Sequence, residues 1–227
     1  TATAISAKIR SQLFADSACA MSLITFLIAA IVLAVTPGPG IAYVVARTVA
    51  GGRTEGLASC LGTGIGGMLH VLAAALGLSV VVAQSAVAFN VLKYVGAAYL
   101  VYLGARMLWR KDEAIAIGTL AVKSQGVRQA FMEGIAVEVL NVKTALFFLA
   151  FLPQFVAPGE PLVPQLALLG TICVVLNTLV DVAAVFASAR LLKSSTVRAA
   201  RARLMTKASG VTMLGLGAYL ALARREA

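Results

Sequence analysis

Six long apolar stretches, separated by short polar connections, constrain this 227-residue chain more than any other feature. The stretches are 22–46, 57–83, 88–109, 131–156, 162–191 and 208–223. A helix of about 20 apolar residues is long enough to cross the hydrocarbon core of a bilayer. Each stretch is therefore predicted to form one transmembrane helix, and we number the stretches as spans one to six.

The composition agrees with a membrane protein. Hydrophobic residues make up 60% of the chain and charged residues only 12%, whereas a soluble domain is about a quarter charged. So few charges could not cover the surface of a soluble fold. The sequence therefore predicts an all-α integral membrane fold with a single transmembrane domain over 21–227. Residues 1–20 are predicted to be an N-terminal extension or leader.

The basic residues lie mainly at the ends of the apolar stretches. Thirteen of the 19 lysines and arginines lie in or beside the connections between spans one and two, three and four, and five and six. Cytoplasmic connections carry such an excess, which places these three in the cytoplasm and both termini outside. The formal charge of +10 is thus explained by topology. Because no basic stripe with interleaved aromatic residues occurs, no nucleic-acid partner is expected.

The six spans divide into two similar triplets. Span three begins with Lys93-x-x-Gly96 and span six with Lys207-x-x-Gly210. Halves with an odd number of spans insert in opposite orientations, as in the inverted repeats of many secondary transporters. We therefore predict about six transmembrane helices arranged as two inverted three-helix repeats, with spans one and four interrupted.

The interruption in span one is the segment Thr36-Pro37-Gly38-Pro39-Gly40. Each proline removes a backbone donor and clashes with the preceding helical turn. A continuous helix is not expected to survive this segment, and backbone groups exposed by the break must face protein or water rather than lipid. A simple kink is the alternative, but two Pro–Gly pairs in succession favour a functional break.

Span four contains charged and amide side chains deep in an apolar stretch. Glu138, Asn141 and Lys143 lie within six residues of each other. Lys143 is about 140° around the helix from Glu138, so the two are poor partners within one helix. Ionisable groups at this depth are costly and usually functional. The alternative is a structural ion pair that holds helices together.

Span five carries Asn177 and Asp181 one helical turn apart, on one face. Asp181 is a candidate counter-ion for Lys143 or for a cationic substrate, and also a candidate proton carrier. An interhelical hydrogen bond is the simpler alternative. The single histidine, His70 in span two, could titrate near neutrality, although a hydrogen bond to a neighbouring helix is more common for such a residue.

The motifs occur in an order that resembles the LysE/RhtB family of bacterial amino-acid exporters. Thr36 to Gly40 is similar to the family's PGPG signature, and Asn141 to Phe148 is similar to its Asn-Pro-Lys segment. Gly96-Ala97-Ala98-Tyr99-Leu100 is similar to its third span. Val142 stands where the family has proline, so span four is either straighter than in relatives or distorted through Asn141.

The resemblance implies proton-driven export, an antiport, of amino acids or related small zwitterions across the bacterial inner membrane. It further implies that spans one and four meet near the midplane, where half-helix ends suit the charges of the substrate. The candidate residues for substrate binding or coupling fall into three groups. Pro37, Gly38, Pro39 and Gly40 form the break, Asn141 and Lys143 contact substrate, and Glu138 or Asp181, with Asn177 beside it, handles protons.

Two other function classes compete with a transporter. A passive channel or pore would conduct without a gradient and without a titratable group. A membrane enzyme or redox carrier is disfavoured, because no paired cysteines, metal-ligand spacings or nucleophile–base sets occur in the sequence. No cofactor or metal is expected. The partners are the amino-acid substrate, the proton and the bilayer, with a homodimer left open. The sequence does not specify which amino acid is moved.

Overall fold

A computed structural model describes residues 23–84, 86–109, 123–157, 159–191 and 195–222. Within these residues all regular structure is helical and no strand occurs. The predicted extension 1–20 lies outside them, as does most of the connection between spans three and four. The helices are α1 (Leu23–Val35), α2 (Pro39–Gln84), α3 (Ala86–Trp109), α4 (Val127–Val139), α5 (Val142–Leu146), α6 (Leu162–Leu191) and α7 (Ser195–Leu222).

Helix α2 is a hairpin of two arms, 39–51 and 53–84, that reverses at Gly52. Gly52 has φ 75° and ψ −171°, a conformation that residues with a side chain rarely adopt. A Cβ built on Gly40 would lie 3.9 Å from Cγ2 of Thr63. These positions would be about 35 Å apart on a straight helix. The arms therefore lie side by side, and the turn falls inside the connection predicted between spans one and two.

Span one is interrupted where the sequence predicts. Helix α1 ends at Val35 and α2 begins at Pro39, with no helical structure over 36–38. Proline suits the first position of a helix because its missing N–H would be unsatisfied there in any case. The break is therefore a local consequence of the two prolines.

Span four is also interrupted, although it lacks the family's proline. The segments Val127–Val139 and Val142–Phe155 meet at a 45° bend. Asn141 has extended backbone angles (φ −76°, ψ 96°), and its side chain accepts a hydrogen bond from the backbone N–H of Lys143. Asn141 therefore acts as the N-cap of α5. Of the two alternatives that Val142 left open, the structure has the distortion through Asn141, not a straight span.

The end of span four is irregular. After α5 the chain forms a π-helical turn, Phe147–Phe151, and a short 3₁₀ turn, Leu152–Phe155. Phe147, Phe148 and Phe151 of this segment are fully buried, and ring contacts join Phe151 to Phe155 and Phe147. This aromatic cluster forms the main apolar core together with buried residues of α1, α2, α3, α6 and α7.

Glycine contacts bring the helices close together. A Cβ on Gly134 of α4 would lie 2.8 Å from the carbonyl oxygen of Ser59, and Gly62 faces Gly134 across the same crossing. Gly104 of α3 and Gly210 of α7 face each other in the same way. Small residues allow this approach of helix backbones in membranes. The glycine-rich stretch of span two, Gly62 to Gly67, therefore serves close helix packing.

The outer surface of the bundle is apolar. Leu61, Leu76, Leu168 and Leu179 are each at least 60% exposed, which suits contact with lipid. By length and composition, Pro39–Gly77 and Leu162–Ser188 can cross a membrane, and the bent pair in span four makes a third. The turn at Gly52 divides the segment Pro39–Gly77 between the two arms of α2. Leu23–Val35 and Gly210–Leu222 are shorter apolar helices. The arrangement is that of a helical membrane protein, and the six-span inverted repeat stays a prediction.

Candidate functional site

The two helix breaks are in direct contact through Lys143. Its Nζ donates hydrogen bonds to the carbonyl oxygens of Thr36, at 2.8 Å, and Leu33, at 3.1 Å. The last carbonyls of a helix have no partner within the helix and carry its negative dipole end. The ammonium group of span four therefore caps the C-terminal end of α1.

Gly38 provides the space for this contact. A Cβ at this position would lie 3.1 Å from Nζ and 3.2 Å from Cε of Lys143. A side chain here would thus press on the lysine stem. The second glycine of the motif has a different neighbour, and each glycine therefore serves one charged residue of span four.

Glu138 approaches the first turn of α2. A Cβ on Gly40 would lie only 2.8 Å from its Oε2, so the carboxyl group reaches this position because Gly40 has no side chain. Oε2 accepts a hydrogen bond from Nδ2 of Asn141 at 3.0 Å, and Oε1 accepts one from Oγ1 of Thr144 at 2.7 Å. The N-terminal end of a helix attracts negative charge. The carboxylate is therefore held at the positive end of α2 and at its own helix break.

Charges of span four thus complement both helix ends of span one. Lys143 lies at the negative end of α1, and Glu138 lies beside the positive end of α2. Within the described residues, neither side chain forms an ion pair with the other. This agrees with the prediction that they are poor partners within one span. The two breaks are therefore held together by charged side chains of span four that lie at helix ends of span one.

Asp181 on α6 is partnered by a hydroxyl group. Its Oδ2 lies 3.1 Å from Oγ1 of Thr63, and the residue is 8% exposed. Asp181, the candidate counter-ion of Lys143, does not lie within salt-bridge distance of it, because the lysine amine is bound to backbone carbonyl oxygens. The simpler alternative, an interhelical hydrogen bond, is what the structure contains.

A small cavity joins these groups. Its polar side chains come from Thr36, Thr63, Glu138, Asn141, Lys143, Thr144, Asn177, Thr178 and Asp181, with Gly38 and Gly40 also in the wall. The cavity is small, with room for about two water molecules. Seven of the nine sequence-predicted site residues therefore line one space. Pro37 and Pro39 form the adjacent break and are not part of the wall.

His70, on the second arm of α2, forms a hydrogen bond to the backbone at the break in span four. Its Nε2 lies 2.8 Å from the carbonyl oxygen of Glu138. Since a carbonyl can only accept, Nε2 carries the hydrogen. The ring stacks on Phe148 with centroids 6.3 Å apart. The predicted hydrogen bond to a neighbouring helix is confirmed.

The sequence did not single out a second buried polar group, which we call the Arg47 cluster. Its members are Tyr43, Arg47, Glu55, Ser124, Gln125 and Glu133. Arg47 and Glu55 are only 5% and 3% exposed. The cluster joins the turn of α2 to the segment before α4. Its acidic members lie at predicted span ends, where charges are normally solvated. Glu55 is close to Arg47 in sequence, but Glu133 is 86 residues away, so nothing in the sequence joins all three.

The cluster consists of charges paired with each other. Arg47 Nη2 lies 2.8 Å from Glu133 Oε2, and Nη1 lies 3.8 Å from Glu55 Oε2. The other oxygen of Glu55 accepts hydrogen bonds from Oγ of Ser124 and from the backbone N–H of Gly126, the latter at 2.9 Å. Ion pairs and hydrogen bonds thus tie connection one–two to connection three–four.

Metal chemistry has no support among the residues described. No group of three or more histidine, cysteine, aspartate or glutamate side chains there is placed to hold a metal ion. Cys60 and Cys173 are buried and free. What the central arrangement offers is paired helix ends, one ammonium group and two carboxyl groups, which can exchange hydrogen bonds with a small charged solute.

Fold and site together define a helical membrane protein with a charged central cavity, and comparison with known proteins gives its family. The family model described as LysE type translocator matches residues 31–224. The chain belongs to this family. The resemblance drawn from the motifs is therefore confirmed, and with it the prediction of a membrane transport protein rather than an enzyme.

Of three similar proteins, two are named as efflux proteins and one as a membrane protein. A homoserine/homoserine lactone efflux protein of Salmonella typhi is 30% identical over 200 residues, covering 88% of this chain and 95% of that protein. An uncharacterized membrane protein of Vibrio cholerae serotype O1 is 29% identical over 204 residues, covering 88% and 97%. A leucine efflux protein of Salmonella choleraesuis is 28% identical over 144 residues, covering 60% and 64%. No solved structure matches the chain.

Proposed function

We propose that this protein exports amino acids or closely related small metabolites across the bacterial cytoplasmic membrane, in antiport with protons. The observation that carries the proposal is the contact between the two helix breaks. Helix ends of both polarities meet at one cavity, together with Lys143, Glu138 and Asp181. Such ends suit the ammonium and carboxylate groups of a zwitterion. The names of two relatives, efflux proteins for homoserine and for leucine, support the same class of solute.

The proposed architecture is six spans in two inverted halves. Span one consists of α1 and the first arm of α2, and span two is the second arm. Spans three, five and six are α3, α6 and α7, and span four runs from Val127 to Phe155. The interrupted spans then occupy equivalent positions in the two halves. The homodimer stays a prediction.

Hydrogen-bond donors around Asp181 support a role in proton transfer. The single hydrogen of the Thr63 hydroxyl faces two acceptors, the carbonyl oxygen of Cys60 at 3.0 Å and Oδ2 of Asp181 at 3.1 Å. A hydroxyl has one hydrogen and can also accept. Both contacts are made at full strength only when Asp181 is protonated and donates to Thr63. Ionised Asp181 would compete with Cys60 for that hydrogen.

Glu138 differs from Asp181 in this respect. Both of its oxygens face donors, Asn141 Nδ2 and Thr144 Oγ1, so the ionised form is fully satisfied. We therefore assign the coupling proton to Asp181 and a charge-holding role to Glu138. The sequence left both residues open as proton carriers, and we propose Asp181 as the one that carries the proton.

Flux from proteoliposomes tests the proposal against the alternative of a passive channel. Vesicles are loaded with labelled L-homoserine or L-leucine, and release is measured with and without an inwardly directed proton gradient. The proposal expects gradient-stimulated, saturable release that a protonophore abolishes. Release that is unsaturable and identical in both conditions would support the channel instead.

A further inference from the structure

The amine of Lys143 occupies a position that is suited to a cationic ligand. Its two partners are backbone carbonyl oxygens, those of Leu33 and Thr36. Among the described residues it forms no ion pair with a carboxylate. Two carbonyl oxygens at the negative end of a helix are generic acceptors for a primary ammonium group. Nothing about this pair of oxygens requires that the ammonium belong to the protein.

The same position lies in the wall of the cavity. Thr36 and Lys143 both line it, and the space that remains holds about two water molecules. A solute the size of an amino acid fits only if something moves. Lys143 has the longest side chain in this wall, with a flexible four-carbon stem that can turn away from the carbonyl oxygens. The carbonyl pair, by contrast, belongs to the end of a packed helix.

We propose that Lys143 is a tethered cation that fills the ammonium subsite of the transported solute when no solute is bound. The solute's ammonium group would replace the lysine amine on the carbonyl oxygens of Leu33 and Thr36, and the freed amine would turn to the solute's carboxylate. The subsite itself rests only on the geometry around Lys143. Its use by an amino acid rests on the proposed function.

Charge explains why a tethered cation is useful here. The cavity also contains the carboxyl groups of Glu138 and Asp181. If the lysine amine moved away and nothing replaced it, the negative end of α1 and the two carboxyl groups would face each other without a cation between them. Replacement by the solute's ammonium keeps the balance, so that release of the lysine is linked to arrival of the solute.

Replacing the lysine should open the subsite to free amines. In Lys143→Ala, the deleted part of the side chain corresponds to n-propylammonium. In Lys143→Met a stem of equal length remains, so the deleted group corresponds to ammonium, the smallest amine cation. We expect each purified variant to show a midpoint of thermal unfolding that rises with its matching amine and saturates, by on the order of 5 °C. Tetramethylammonium, which has no N–H to donate, should have no effect.

Controls separate the subsite from general effects of amines. The wild-type protein, whose own lysine fills the position, and Lys207→Ala, which changes an exposed lysine on α7, should not respond. Both Lys143 variants are extracted from membranes with and without the amine. A variant that folds only with amine supports the proposal. The absence of any amine effect in both variants, including failure to recover them, overturns it.

Competition then tests whether the solute uses the subsite. In Lys143→Ala, L-homoserine should reduce the stabilisation by n-propylammonium, whereas 4-hydroxybutanoate, the same carbon chain without the amine, should not. Additive stabilisation by the two ligands would overturn sharing of the subsite.

If the wild-type protein exports no amino acid but the variants still bind amines, the proposed function fails while the cation subsite stands. If the wild-type protein exports amino acids but neither variant binds amines, the subsite fails while the proposed function stands.

Discussion

Two buried polar regions lie along the same helix arm and are built differently. In the Arg47 cluster, opposite charges pair directly, with Arg47 bound to Glu133 at 2.8 Å. In the central cavity, Lys143 and Glu138 instead contact helix ends and neutral side chains. Gly40 and Arg47 are seven residues apart on α2, about 10 Å along its axis. The two regions are therefore close neighbours, but their charged side chains have different kinds of partner.

The difference indicates different tasks. A buried ion pair is expensive to separate, because each partner would be left as an uncompensated charge. The Arg47 cluster is thus suited to holding two connections together. Charges that contact backbone carbonyls and hydroxyl groups can exchange those contacts for equivalent ones from a solute. We therefore expect changes in the cluster to act mainly on folding and changes in the cavity to act mainly on transport.

The largest loss of folding free energy is expected for Arg47→Met. The change leaves Glu55 buried without its charge partner, and breaking a buried pair costs about 3–5 kcal/mol. Thermal unfolding of the purified protein and its abundance in membranes give the measurement. Arg128→Met, at an exposed position at the start of α4, is the matched control and should be near neutral. An Arg47→Met protein as stable as the control would mean that the cluster does not hold the fold together.

Gly40→Ala should be intermediate. The added Cβ would lie 2.8 Å from Glu138 Oε2, so the carboxyl group must move away from its hydrogen bonds to Asn141 and Thr144. Leaving such buried groups unpaired costs about 1–3 kcal/mol. Gly77→Ala, on the same helix but with no atom within 4 Å of the added Cβ, is the control and should gain up to about 1 kcal/mol from helix propensity. Export should be lost only in Gly40→Ala. Equal behaviour of the two variants in both assays would contradict the role of Gly40.

Val142→Pro restores the family's residue and should change stability little. Val142 is the first residue of α5, where proline is favoured, and Asn141 already has the extended backbone that a residue before proline adopts. A gain of about 0.4–1 kcal/mol is expected from the stiffer unfolded chain. Denaturation of both proteins under identical conditions measures it. A loss of more than about 1 kcal/mol would show that the bend at Asn141 is not the one that proline favours.

Asp181→Asn should have the smallest effect on folding and a large one on transport. The asparagine amide can donate to Thr63 Oγ1 as a protonated aspartate would, so the free energy of unfolding should stay within about 0.5 kcal/mol. Export should no longer respond to a proton gradient, whereas exchange of labelled for unlabelled L-homoserine should persist.

Glu160→Gln, an exposed carboxyl change, is the matched control for Asp181→Asn. Gradient-driven export equal to that of the control would remove Asp181 from the coupling mechanism. Loss of folding comparable to that of Arg47→Met would place Asp181 with the paired charges instead, and the distinction between the two regions would fail.

Local features of the fold could be predicted well. The break at Thr36–Gly40 follows from the prolines themselves, and the glycine-rich stretch of span two packs closely, as small residues in an apolar helix indicate. The break in span four was harder, because Val142 does not enforce one. Asn141 acts there by capping α5, and a residue's choice between capping and helix interior depends on its surroundings.

Partner assignments were the weaker part of the prediction. Lys143 and Asp181 were reasonable counter-ions on charge alone, yet Lys143 binds carbonyls of α1 and Asp181 lies at Thr63. Nothing in the sequence indicated that the hydroxyl group of Thr63, in a glycine-rich helix, would be the partner of Asp181. The Arg47 cluster was missed because its members come from predicted connections and span ends, where charges are usually exposed. Each error concerns which helix faces meet, information that one sequence does not contain.

The sequence by itself determined that the chain is apolar enough for a bilayer, that span one breaks at its prolines, and that a few charges lie deep in the spans. These properties depend on covalent geometry and on transfer of residues out of water, which act locally. The tertiary structure alone decided that Lys143 lies on the end of α1, 107 and 110 residues away in sequence. Contacts over such separations depend on how all the helices pack together, so they emerge only in the assembled bundle.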